Sequence, residues 1–140
     1  MILSKKTRYA IVALARLARE YGKGPVQIRE IAEEEKIPRS FLENILLDLK
    51  KAGILGSNLG KAGGYYLLKK PGEVNLSEVI NHFEGTISLL YCVSDRTYRP
   101  CEFCKDEATC QIRKVFKKIH DSTSEILGAT TLNELISDRM

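Results

Sequence analysis

The sequence predicts a mainly α fold with one small β-hairpin, and three observations carry that expectation. A short amphipathic segment, a tight turn and a longer amphipathic segment run from Gln27 to about Ala52. Two brief β-prone runs, Ile54–Leu59 and Tyr65–Leu68, follow at once and flank Gly60-Lys61-Ala62-Gly63-Gly64. Further on, Ile112, Val115, Phe116, Ile119, Thr123 and Ile126 form an apolar stripe at helical spacing. The first two features in that order make a winged helix-turn-helix domain. The third predicts a long C-terminal dimerisation helix, since a stripe lying beyond a complete domain is buried by pairing with its twin.

Each element has a local reason. Ser4 caps a first helix over about Lys5–Tyr21, with Ile11, Leu14, Ala15 and Ala18 on one face, and the Gly22–Pro25 segment ends it. Gln27–Glu35 forms the second helix, with Ile28, Ile31 and Ala32 inward. Lys36-Ile37 is the turn, and Pro38 suits the first position of the third helix, where its missing N–H is no loss. That helix turns Leu42, Ile45, Leu46 and Leu49 inward and stops at Gly53. Asn75 or Ser77 caps a short helix to about Phe83, ended by Gly85. A final short helix carries Leu132, Leu135 and Ile136. The expected organisation is a DNA-binding domain over 1–85, a cysteine-rich loop over 86–106, and a dimerisation helix with a C-terminal helix over 107–140.

Length and charge agree with that plan. A chain of 140 residues, 44% hydrophobic, buries one core and an extension. No apolar run is long enough to span a bilayer, and the basic N-terminus leads into an amphipathic pattern rather than a signal-peptide core. A cytoplasmic location without membrane association is the expectation. Residues 1–72 hold 14 Lys and Arg against 7 Asp and Glu, whereas residues 73–140 hold 8 against 11. A basic first half fits a surface that neutralises phosphates. The outward face of the third helix offers Arg39, Ser40, Glu43, Asn44 and Leu47. Arg39 suits guanine or phosphate, Asn44 adenine, and Glu43 the cytosine amino group. Lys61 at the wing tip suits a phosphate or the minor groove. Phe41, Tyr65 and Tyr66 read as packing groups. The glycine-rich stretch lacks the Gly-Lys-Ser/Thr ending of a phosphate-binding loop.

The only four cysteines, Cys92, Cys101, Cys104 and Cys110, fall within nineteen residues at the spacing Cys-x8-Cys-x2-Cys-x5-Cys. Clustered thiols in a reduced compartment bind metal or act in redox chemistry. Three readings stand beside inert cysteines: an iron–sulfur cluster, structural zinc, and direct thiol redox sensing. For the last, Arg96, Arg99 and Lys105 are expected to lower a thiol pKa. His82 and His120 read as structural. No Ser/His/Asp or paired-carboxylate arrangement is visible, so no enzyme is expected. From another class, an iron–sulfur electron or cluster carrier that does not bind DNA also fits the thiols.

The chain resembles the IscR, NsrR and CymR group of bacterial winged-helix regulators. The matching residues are Leu3-Ser4 with Tyr9-Ala10, Ile31-Ala32-Glu33, Ser40-Phe41-Leu42-Glu43, Lys50-Lys51-Ala52-Gly53-Ile54, Gly60 with Gly63-Gly64-Tyr65, and Glu84-Gly85. The resemblance implies a homodimeric transcription factor, a repressor, on a dyad operator of double-stranded DNA. It implies operator contacts at Ser40, Phe41, Glu43 and Lys61, with the segment around Arg8 near the backbone. In the cluster-binding branch it implies an iron–sulfur cluster on Cys92, Cys104 and Cys110. Arg113 and Arg8 stand where some members supply a histidine or a carboxylate ligand, so Cys101 is the expected fourth, for a [2Fe–2S] or [4Fe–4S] cluster. The cluster would set the spacing of the two reading heads and make the protein a sensor of iron–sulfur or redox status.

Overall fold

Ser4 starts the first helix as expected: its Oγ accepts the Thr7 N–H at 3.2 Å. The chain, described by a computed structural model over residues 2–102 and 104–137, then forms six α-helices and a two-stranded antiparallel hairpin. These are α1 (Lys5–Arg19), α2 (Ile28–Glu35), α3 (Arg39–Lys51), β1 (Leu55–Asn58), β2 (Gly64–Leu67), α4 (Leu76–Glu84), α5 (Gln111–Ala129) and α6 (Leu132–Ser137). Short 3₁₀ turns stand at Pro71–Glu73, Tyr91–Val93 and Glu107–Thr109. The last three residues of the expected 107–140 segment lie outside the described residues. No described helix is long and apolar enough to cross a membrane.

Helix order and type follow the sequence, with shifts of one or two residues at the ends. Pro38 precedes α3 as its cap rather than opening it, and Gln27 precedes α2. Lys36 closes α2 in the left-handed region at φ 56°. The inward faces of α2 and α3 are as expected, with Ile31, Leu42, Ile45, Leu46 and Leu49 fully buried. The face of α1 differs. Thr7, Ala10, Ala13, Leu14, Leu17 and Ala18 are its buried positions, while Ile11 and Ala15 are half-buried. This helix packs against α3, α4, α6 and β2. Its small alanines admit close neighbours, and a stripe drawn through the larger aliphatics misses them.

The hairpin pairs Leu55 with Leu67 and Asn58 with Gly64. Val26 adds a third rung on the outer side of β2, with reciprocal 2.8 Å bonds to the Tyr65 N–H and C=O. That rung explains Gly64, and the tight tip explains Gly63. A Cβ on Gly64 would overlap the Val26 carbonyl, and one on Gly63 would overlap the Asn58 carbonyl. Arg16 ties α1 to α2 through Glu34 at 2.7 Å and Glu30 at 3.4 Å, and also pairs with Glu20 at the end of α1 at 3.1 Å. Its hydrogen bond to Glu34 holds the guanidinium still more firmly protonated and the Glu34 carboxyl below its ordinary range.

The C-terminal helices part company. Leu132 of α6 is fully buried in the same core as α1 and α3, and its N–H donates to the Val74 carbonyl at 3.0 Å. By contrast, α5 packs on α4 and on the Tyr91–Val93 turn, and His120 is its one fully buried residue. Ile112, Val115, Ile119 and Ile126 stay exposed, with Phe116 and Thr123 half-buried beside them.

Candidate nucleic-acid interface and cysteine loop

Arg39, Ser40, Glu43 and Asn44 occupy the exposed side of the first turns of α3. An i,i+4 ion pair links Arg39 Nε to a Glu43 carboxylate oxygen at 3.5 Å. Phe41 is partly exposed and meets the Tyr9 ring edge-on, with centroids 5.5 Å apart, so its packing role joins α3 to α1. Arg8, next to that Tyr9, is exposed on α1. The start of α3 and the wing border one open cleft, lined by Gln27, Arg29, Arg39, Asn58, Gly60 and Tyr65. Lys61 is exposed at the wing tip, and its backbone carbonyl accepts from Gln27 Nε2 at 2.7 Å. Within β1, Ser57 Oγ accepts from Lys50 Nζ of α3 at 2.7 Å. Gln27 and Arg29 are cleft residues that sequence reasoning missed. The only available signal was their polarity at the opening of α2.

The cysteine loop divides into an inner and an outer part. The inner part, around the Tyr91–Val93 turn, packs on α5, and Cys92 and Val93 are buried there. Arg113 Nε of α5 donates to the Cys92 carbonyl at 3.3 Å. In the outer part Cys101 is exposed, and its carbonyl accepts the Cys104 N–H at 3.1 Å, closing the Cys-x2-Cys turn. Tyr98 and Glu107 are hydrogen-bonded across this part. Cys110 caps α5, its Sγ accepting the Arg113 N–H at 3.4 Å.

All four thiols are free. Burial pushes the Cys104 thiol up, and Glu107 and then Cys110, Cys101 and Cys92 act in the same direction. Glu107 thus acts on Cys104 as an acidic neighbour. At Cys104 the direction is opposite to the lowering expected from basic neighbours. Arg99 instead stacks over the Tyr91 ring, 4.6 Å from its centroid, and Arg113 is engaged with the Cys92 carbonyl. As a donor set, four soft thiols fit an iron–sulfur cluster or zinc. As a geometry, no three Cys, His, Asp or Glu among the described residues converge into a metal-holding group.

His120 is buried and hydrogen-bonded, in keeping with its structural reading. It reaches from α5 into the inner loop, with Ser88 Oγ 2.7 Å from Nδ1 and Asp95 Oδ2 3.2 Å from Nε2. The sequence showed no Ser/His/Asp grouping, because these residues are separated by 25 and 32 positions. At the end of α4, Glu84 accepts from Ser4 N at 2.9 Å and Thr7 Oγ1 at 2.5 Å, which holds its carboxyl below the ordinary range.

A helix-turn-helix with a hairpin wing beside the start of its third helix defines a winged-helix protein, a class whose members read duplex DNA. Residues 3–138 match the profile of a family described as Rrf2, iron-dependent transcriptional regulator, and the chain belongs to that family. An rrf2-like HTH-type transcriptional regulator, so named, of Rhodobacter capsulatus is 42% identical over 139 residues, covering 97% of this chain and 93% of its own. The HTH-type transcriptional regulator CymR of Bacillus subtilis is 31% identical, with 98% and 91% covered. Among solved structures, CymR (YrzC), the global cysteine regulator of B. subtilis, superposes with a TM-score of 0.84 at 28% identity, covering 100% of this chain and 99% of the other. IscR of T. potens superposes with a TM-score of 0.77 at 26% identity, over 99% and 88%. The chain is thus a DNA-binding transcriptional regulator and not an enzyme, as its sequence led one to expect.

Proposed function

We infer that this regulator acts as a homodimeric repressor on a dyad operator, and that its cysteine loop holds an iron–sulfur cluster whose presence sets operator affinity. The observation that carries the reading is the shared cleft, where Arg39 at the head of α3 and Asn58 and Gly60 of the wing face one open space. In such a cleft Arg39, Ser40, Glu43 and Asn44 meet base edges, while Lys61 and Arg8 meet phosphates. Phe41 supports α3 from Tyr9. The exposed Ile112, Val115, Ile119 and Ile126 pair with the same stripe of a second copy, which spaces two reading heads for two half-sites. A DNA target and four reduced thiols accord with a cytoplasmic location.

Cys92, Cys101, Cys104 and Cys110 are the residues that would hold the cluster. When bound, it supplies redox chemistry and a bonded link between the inner and outer loop. The chain's own part is mechanical. Bringing Cys101 and Cys104 up to Cys92 and Cys110 draws the outer loop onto the N-terminus of α5, which Cys110 caps. Coupling of that movement to DNA needs only about 1–3 kcal/mol.

The test is an anaerobic visible spectrum of freshly purified protein, with iron, sulfide and zinc assayed on the same sample. Iron, sulfide and visible absorption, all lost in Cys92→Ala together with any dependence of operator affinity on loading, support the reading. Colourless protein with stoichiometric zinc assigns the thiols a structural role and ends the sensing mechanism. A Cys92→Ala protein with unchanged absorption and affinity also refutes it.

A further inference from the structure

The inner half of the cysteine loop is moored to α5 at two points one above the other. Near the start of the helix, Arg113 holds the Cys92 carbonyl. Two turns further along, the His120 ring lies between Ser88 and Asp95, four residues before and three residues after Cys92. The ring is 4% exposed, whereas the Asp95 side chain is 76% exposed. Aspartate can only accept here, so Nε2 carries a hydrogen that points at Asp95, while Nδ1 meets the Ser88 hydroxyl. Both ring nitrogens are then satisfied by the loop and neither by the helix that carries them. Ser94, beside Asp95, is itself buried and bonded to Thr86 and Thr97, so the segment that His120 grips is internally braced. A braced segment moves as a unit. Its polar connection to the third turn of the apolar-striped helix is this imidazole.

Resting on the reading that the thiols sense, we propose that His120 is the positioning residue that transmits the state of the cysteine loop to α5 and so to the spacing of the reading heads. His120 touches neither DNA nor, in this role, the bound group. With the Ser88 and Asp95 bonds in place, drawing the outer loop toward Cys92 pulls on the third turn of α5. Without them the same movement is absorbed at the loop–helix contact. Glu107 and Arg113, which also join loop to helix at 3.8 Å, lie at the first turn and leave the third turn free.

The experiment compares operator affinity of metal-free protein with protein loaded anaerobically using ferrous iron and sulfide, on a duplex selected from a random library. Wild type, His120→Ala, and a Ser88→Ala/Asp95→Ala double variant are measured, each checked for dimer mass. The loop-side variant changes exposed or half-exposed positions, so it tests the same contact without risking the helix. The expected result is a change of tenfold or more on loading for wild type and less than twofold for both variants. Metal-free affinity, iron content and dimer mass should stay unaltered. Hydrogen exchange of segment 86–97 should rise in both variants. A full response in either variant overturns the proposal while leaving the sensing reading intact. No response in wild type defeats the sensing reading, and this inference falls with it. Loss of iron binding in the variants would make the trio part of the site's construction and would also overturn it.

Discussion

Gln27 Nε2 donates to the backbone carbonyl of Lys61 at 2.7 Å, so the opening of α2 holds the tip of the wing. The two residues are 34 positions apart and both exposed, and the bond sets where the Lys61 ammonium can reach. Lys61→Ala is expected to weaken binding to every duplex alike and to lower the salt slope by about one phosphate contact. Gln27→Ala should reproduce much of that loss with Lys61 still present. Adding Lys61→Ala to it should then cost less than it does in wild type. Additive losses in a salt-titrated double-mutant cycle would separate the two residues.

Arg39 and Glu43 neutralise one another on the exposed face of α3. A pair of this kind adds about 0.3–0.5 kcal/mol to stability, so its removal scarcely shifts the melting temperature. On DNA the effect is larger. Glu43→Ala frees Arg39 for any phosphate and removes an acceptor for a base edge, so discrimination at one position should fall by about 1–3 kcal/mol while non-specific affinity rises. Competition binding with single-base variants of a selected site measures both, and an unchanged preference would exclude Glu43 as a base reader.

Glu84 fastens the N-terminus of α1 to the end of α4, and its folded pKa is lowered first by the Thr7 hydroxyl and then by the Ser4 N–H. The sign follows from linkage. A carboxyl with a depressed folded pKa contributes stability that is complete above its unfolded value, near the ordinary 4.5, and lost as pH falls through the folded value. Thermal melts from pH 6 down to pH 3 should therefore show a steep acid limb in wild type and a shallower one in Glu84→Gln. That variant should also be less stable at pH 6. Parallel limbs would show that Glu84 carries no such linkage.

Ile119 and Ile126 are 41% and 65% exposed on α5, away from the core. Replacing both by Asp places charge in the proposed dimer seam without touching the monomer's interior. Sedimentation should shift from dimer to monomer, operator affinity should fall by at least tenfold through loss of two-site binding, and the far-ultraviolet dichroism should stay unchanged. A dimer that survives both substitutions would move the interface elsewhere.

Much of the fold was legible because its causes are local. The Ser4 cap, the αL turn after α2, the period of Leu42, Ile45, Leu46 and Leu49, and Gly63 against the Asn58 carbonyl all act between near neighbours in the chain. The clustered cysteines were legible for the same reason, and the resemblance rested on such short matches. The buried alanines of α1 were not, since a small side chain gives a weak periodic signal however deeply it is buried.

What the sequence by itself determined was the set of elements, their order, and the residues available for DNA and for soft ligands. The tertiary structure alone decided which distant groups meet: Gln27 with Lys61, Glu84 with Ser4 and Thr7, His120 with Ser88 and Asp95. Hydrogen-bond and charge contacts depend on distance in space, and over separations of 25 to 80 residues only the packing of helices on the common core brings those atoms to about 3 Å. The same packing reverses an expectation at Cys104, whose thiol is pushed up by burial and then by Glu107.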